Sequence, residues 1–374
     1  MYSAEEQLII TASQVHLTGR EQEMMVQLVR EELDWGFVLY QCAHHRVIPL
    51  VWNHFQNLGL TRFMEKYVRY IFEHESARIA EHNAIVLTEL KYVYQAFQKS
   101  GIRAVLLKGA LLAPTVYQNI GLREFHDVDF LIGQEELSKV TKVLAGLGYI
   151  QGHYDVSTNT ITPASREEKM LHRMNTHELT EFLKPTGQSA CKAVEIDVNF
   201  ELAWKGHSNA SNQYRLPAAE FIAQAEQVNS HEMNIYRLKP EHQLIQLCAH
   251  LYSEAVFFCF ESRWLRDKFD LNLIKFCDIN EFLKQQAIHW GELKNILEAI
   301  PNAGVPVFYT LSLLNKLYPD RVPVDFLDDL NGRKDLLDIF YDRNGETRQW
   351  GTGFTERMFN ITDKVGQALA MNII

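Results

Sequence analysis

Apolar residues recur at spacings of three and four through EQEMMVQLVREEL and WGFVLYQCAHHRVIPLVWNHFQNL, so residues 1 to 75 are expected to form an N-terminal helical region. The same spacing continues from 76 to 100 and closes at Gly101, a normal helix stop. The pattern then changes. Ala104 to Leu107 is an apolar run of strand length, 134 to 147 is again helical, and between them Asp127-Val128-Asp129-Phe130 alternates polar and apolar residues. AVEIDVNFEL at 193 to 202 alternates in the same way, placing Val194, Ile196, Val198 and Phe200 on one face and Glu195, Asp197 and Asn199 on the other. Two or three strands are expected between the helix at 134 to 147 and residue 203. The polar stretch 151 to 170 reads as an exposed loop or an excursion near the site, and the segment holding His172 and His177 reads as a neighbouring strand. A mixed sheet of modest size with helices around it, in residues 76 to 205, makes the fold α/β or α+β. After Trp204 a polar linker, KGHSNASNQ, marks a boundary, and the region from 206 to 374 again reads as helical.

The alternation carries the chemistry. Side chains in a strand alternate between faces, so Asp127 and Asp129 project to one side while Val128, Phe130 and Ile132 project to the other. Two adjacent carboxylates raise each other's pKa unless a cation lies between them, which points to a divalent ion, and oxygen ligands favour Mg2+ or Mn2+. Asp197 is the candidate third carboxylate, with Glu195 as its rival. If Asp197 lies beside Asp127 and Asp129 in one sheet, the three form a cluster able to position two metal ions for phosphoryl or nucleotidyl transfer. Upstream, Lys108-Gly109 follows the strand at 104 to 107, and Arg123 lies four residues before Asp127 in a glycine-containing loop. Arg123 is placed to reach phosphate or one of the aspartates. His126 is expected to face away from the carboxylates, while His172, His177 and His250 read as structural or surface histidines.

These residues resemble a known family. Lys108-Gly109, Tyr117, Arg123, Asp127-x-Asp129, the helix ending near Gly148-Tyr149 and the Asp197 strand are similar to the uncharacterised nucleotidyltransferase family of the DNA polymerase beta type. The resemblance extends to Trp35, the run AHHRVIPL from Ala43 to Leu50 and the run PEHQLIQLCAH from Pro240 to His250. It implies an α+β fold, a small mixed-sheet nucleotidyltransferase core at 76 to 205 flanked by the N-terminal helical region and a C-terminal helical domain. It also implies catalysis and metal binding by Asp127, Asp129 and Asp197, with nucleotide phosphates held at Lys108, Gly109 and Arg123. The sequence departs from the best-studied members of that superfamily at one place. They have a Gly-Ser pair at the start of the first core helix, where this chain has Lys108-Gly109-Ala110. The amides of a helix N-terminus and the charge of Lys108 are a physical substitute for the missing hydroxyl.

Composition narrows the partners. The 374 residues carry 37 basic and 47 acidic side chains, a net charge of −10, which argues against extended nucleic acid as the main partner. No apolar run approaches a membrane span and the N-terminus lacks a signal pattern, so no membrane partner and a cytoplasmic location are expected. Cys42, Cys191, Cys248, Cys259 and Cys277 are odd in number and widely spaced, the pattern of buried reduced thiols and not of zinc sites, disulfides or cysteine catalysis. Asp267, Asp270 and Asp278 read as surface charges. Arg348, Trp350 and Arg357 are candidates for an acceptor surface.

The activity expected from these features transfers a nucleoside monophosphate from a nucleoside triphosphate to an acceptor, releasing pyrophosphate, with two ions of Mg2+ or Mn2+ as cofactor. The acceptor is unidentified, and the acidic charge suits a cationic small molecule or peptide. The alternatives are a non-catalytic nucleotide-binding or interaction protein on the same fold, and a phosphotransferase using the same cluster.

Overall fold

A computed structural model describes residues 2–155, 157–202, 214–231, 233–256, 271–330, 334–341 and 346–360. The linker after Trp204, Cys259, Asp267 and Asp270 lie outside the described residues. The chain divides into two compact units. One comprises Met1–Glu73, Gly206–Arg215 and Leu244–Ile374, and the other His74–Lys205 and Leu216–Gln243.

In the first unit, N-terminal and C-terminal segments pack together. Helices α1 (Ala4–Ala12), α2 (Gly19–Leu28), α3 (Trp35–His44) and α4 (Ile48–Asn57) start where the local chemistry allows. Ser3 with Glu6 and Thr18 with Glu21 form capping boxes, Asp34 accepts from the Phe37 amide, and Pro49 stands in the first turn of α4, where its missing N–H costs nothing. The Gln41 side-chain amide donates to the Phe359 carbonyl at 2.6 Å, and Asn272 donates to the His44 carbonyl at 2.7 Å. Cys42, Cys248 and Cys277 are buried and free here, as Cys191 is in the other unit. Asp278 is buried, not a surface charge, because the helix Leu273–Gln285 buries residues on every side from Phe276 to Phe282. Trp350 and Arg357 are also interior. Arg357 is 1% exposed, donates to the Leu337 carbonyl at 2.8 Å and lies over the Trp350 ring, so neither belongs to an acceptor surface. Arg348 is exposed and paired with Glu346.

The second unit is built on an eight-stranded mixed sheet. Helix α5 (Lys66–Lys99), which enters this unit at His74, leads through Gly101, at φ +63°, into β1 (Val105–Leu106), then α6 (Lys108–Thr115) and β2 (Asp127–Leu131). Next come α7 (Leu137–Gly146), β3 (Ile150–Asp155), β4 (Thr160–Pro163), α8 (Arg166–Asn175), β5 (Phe182–Pro185) and β6 (Ala193–Asn199). After α9 (Ala218–Ala223), the hairpin β7 (Glu226–Ser230) and β8 (Met233–Arg237) completes the sheet before α10 (Pro240–Val256). The strand order is β4-β3-β5-β6-β2-β1-β8-β7.

This is the α+β fold expected, with three local corrections. Residues 151 to 170 are not a loop but the β3–β4 hairpin and the start of α8. The hairpin lies at the sheet's end with most side chains exposed, so no apolar alternation marks it. At Gly152 the Thr162 carbonyl occupies the space a Cβ would need, the reason a glycine stands there. The segment bearing His172 is helix, started by the Ser165–Glu168 capping box, and α8 buries none of its residues. The region after 206 is not wholly helical, since β8 pairs parallel with β1 through Tyr236 and Val105. Its alternation is visible in MNIYR, where Met233 and Ile235 are buried.

The core lies on one face of the central strands. Val128, Phe130 and Ile132 of β2 and its extension join Val194, Ile196 and Val198 of β6 against Val86, Leu90, Tyr94 and Phe97 of α5 and Val140 and Leu144 of α7. The Phe130 ring lies 5.3 Å from Phe97 and 5.8 Å from Tyr94. Period-two alternation therefore commits the opposite face of β2 and β6 to the polar residues.

Candidate functional site

Strands β2 and β6 run parallel in a register that sets Asp127 opposite Glu195, Asp129 opposite Asp197 and Leu131 opposite Asn199. The carboxylates of Asp127, Asp129 and Asp197 each bring an oxygen within 4.8 Å of the others. Asp197, rather than its rival Glu195, is thus the third member of the group. Asn199, two residues on and on the same face, donates its side-chain amide to Asp129 Oδ1 at 3.2 Å.

Lys108 closes the other side. Its Nζ donates to Asp129 Oδ1 at 2.7 Å, with the lysine side chain 23% exposed and the aspartate 1%. Burial opposes the lysine charge, but Asp129, Asp127 and Asp197 outweigh it and hold its pKa above the ordinary value. Burial pushes the Asp129 carboxyl up despite Lys108, with Asp127 adding to the shift. Asp197 is raised well above the usual carboxylate range by burial and by the charges of Asp127, Asp129, Glu178 and Glu195.

The backbone at Lys108 is in the left-handed region at φ +48°, an uncommon conformation for a residue with a Cβ. It is Lys108, not Gly109, that takes the sharp turn out of β1. Gly109 is needed for another reason, because a Cβ there would lie 2.5 Å from the Phe125 Cβ and 3.7 Å from Arg123 Nη1. The first turn of α6 has no side-chain cap, so its amides have no acceptor from a capping side chain. Arg123 is buried and donates to the Glu124 carbonyl, while Asn83 of α5 ties the loop by donating to the Arg123 carbonyl at 2.8 Å. His126 lies 3.1 Å from Glu124, adjacent to the His82 ring.

The roles of two acidic-face residues escaped the sequence reading. Asn199 is visible in the alternation, but its hydrogen bond to Asp129 depends on strand register. Glu178 has no sequence signal, since it lies in an irregular segment between α8 and β5. Its backbone forms an antiparallel bridge with Asn199, and burial together with Asp129 and other nearby carboxylates pushes its pKa up to about 7 against the pull of Lys108. His172 and His177 each stand 3.8 Å from its oxygens.

The donor set fits a divalent ion. All three triad ligands are carboxylates, and buried Asp129 Oδ2 and Asp197 Oδ1 have no hydrogen-bond partner. Such atoms are costly inside a protein unless a cation or polar group meets them.

Fold and site together define an α+β protein with a candidate divalent-metal centre on a sheet face. The chain belongs to the uncharacterised nucleotidyltransferase family, whose family model matches residues 31–319, and nucleotidyl transfer is the general chemistry that description assigns. No curated protein matches the chain. Among the described residues no helix is long and apolar enough to cross a membrane.

Proposed function

We propose that this chain is a metal-dependent nucleotidyltransferase that moves a nucleoside monophosphate from a nucleoside triphosphate to an acceptor hydroxyl or similar group. The observation that carries the reading is the convergence of Asp127, Asp129 and Asp197 within 4.8 Å, two of them with unpartnered buried oxygens. A divalent ion held there, Mg2+ or Mn2+, supplies neutralising charge to the triphosphate. Asp127, Asp129 and Asp197 would hold it, and Asn199 fixes the orientation of Asp129. Lys108 and the uncapped amides of α6 steady the phosphates, with Arg123 supporting that end of the site. Asp197 takes the proton of the acceptor as the new oxygen–phosphorus bond forms at the α-phosphate and the bond to pyrophosphate breaks. The net charge of −10 favours a cationic acceptor, a small molecule or a peptide.

The test is calorimetric titration of the four common nucleoside triphosphates with Mg2+ into the native chain and into Asp127→Ala and Asp129→Ala, with product analysis of any turnover. Magnesium-dependent binding by the native chain, lost in both folded variants, and pyrophosphate as product are expected. Nucleoside diphosphate as product would instead mean phosphoryl transfer, and binding retained by both variants would remove the site assignment.

A further inference from the structure

A carboxylate from outside β2 and β6 joins the acidic face that carries Asp127, Asp129, Asp197 and Glu195. Leu179 donates its amide to the Val198 carbonyl and Phe200 donates to the His177 carbonyl, both at 2.9 Å, so residues 177 to 179 run antiparallel beside the end of β6. Glu178 is directly opposite Asn199. Residues paired across strands share a face, and residues two apart on one strand do too. Glu178 therefore stands on the face of Asp197 and Asn199, one chain removed from the strand pair that holds the triad. Its side chain is 28% exposed, and its flanking imidazoles, at 3.8 Å, are beyond hydrogen-bonding distance.

We propose that Glu178 is a fourth ligand for the divalent cations of this site. The proposal rests on reading Asp127, Asp129 and Asp197 as metal ligands, and it assigns a residue that reading does not contain. Burial aside, Lys108 lowers the Glu178 pKa whereas Asp129, Glu181 and Asp127 raise it, and Asp127, Asp129, Glu178 and Glu195 raise that of Asp197, so carboxylates outnumber the ammonium on this face. A divalent cation offsets that excess of negative charge. Asp129, 1% exposed with Oδ2 unpartnered, leaves on this face a buried oxygen able to meet a cation. Glu178 also comes from a chain segment separate from β2 and β6, so it widens the acidic face beyond the two strands that hold the triad.

Manganese alone is the probe. The full chain and its Glu178→Gln, Glu178→Asp and Asp129→Asn variants are titrated with Mn2+ above neutral pH by calorimetry and by the electron paramagnetic resonance signal of free Mn2+, with thermal unfolding confirming that each is folded. The expected result is that Glu178→Gln loses one bound ion or weakens Mn2+ binding about tenfold or more, and that Glu178→Asp, one methylene shorter, does not restore it. Native binding by Glu178→Gln would overturn the inference. If Asp129→Asn abolishes binding while Glu178→Gln leaves it unchanged, the triad reading stands and this one falls. Absence of Mn2+ binding by the native chain overturns both.

Discussion

At the scale of single residues, the start of α6 concentrates the constraints. Lys108 accepts a left-handed backbone so that its ammonium reaches Asp129, and Gly109 leaves room for the Phe125 side chain. Gly109→Ala places a Cβ against an interior aromatic that is 2% exposed and cannot swing aside freely. The variant is expected to lose about 1 to 3 kcal/mol of stability, measured by chemical denaturation, and a denaturation midpoint equal to the native one would show that the loop yields. Lysine, glycine and the paired aspartates were all legible as candidates from residue type and spacing. Which of the two residues takes the positive φ was not, because the steric reason for the glycine lies with Phe125, sixteen positions away.

At the scale of elements, β2 and β6 do two tasks through one alternation. Their inward residues anchor the core and their outward residues hold the carboxylates, so damage to one face disturbs the other. Phe130 is fully buried between α5 residues Tyr94 and Phe97, and it directly follows Asp129. Phe130→Ala is expected to cost about 3 to 5 kcal/mol, read from urea unfolding, and to weaken Mn2+ binding in the fraction that remains folded. Unchanged metal affinity in that folded fraction would show that the polar face holds its geometry without the core beneath it. Both strands were readable because each has one buried and one polar face. The β3–β4 hairpin was missed because most of its side chains are exposed, and β7 because it is an edge strand with little apolar content.

At the scale of the whole molecule, the acidic face links stability to pH. Glu178 has an ordinary value near 4.5 and is pushed up to about 7 in the fold, chiefly by burial. The folded chain therefore holds a proton that the unfolded chain releases. Glu178's favourable contribution is fully present below about pH 4.5 and is lost as pH rises through about 7. Asp129 and Asp197 shift in the same direction. Without divalent metal, Glu178→Gln, which stays neutral, is expected to gain thermal stability relative to the native chain as pH rises across that window. A constant difference in melting temperature from pH 4.5 to 8 would contradict the shift. Folding also decided which residues belong to the site. Trp350 and Arg357, plausible for an acceptor surface from their types, became interior packing, while Glu178 came onto the acidic face without a motif. The sequence by itself determined the helix and strand periods, the pairing of Asp127 with Asp129 on one face, and the family to which the chain belongs, because these depend on residues close in the chain or on the pattern of the whole. Only the tertiary structure decided that Asp197 rather than Glu195 completes the cluster, that Asn199 orients Asp129, and that Glu178 stands beside them. Those outcomes depend on strand register and on the path of an irregular segment, which are set by packing between residues as far as seventy positions apart.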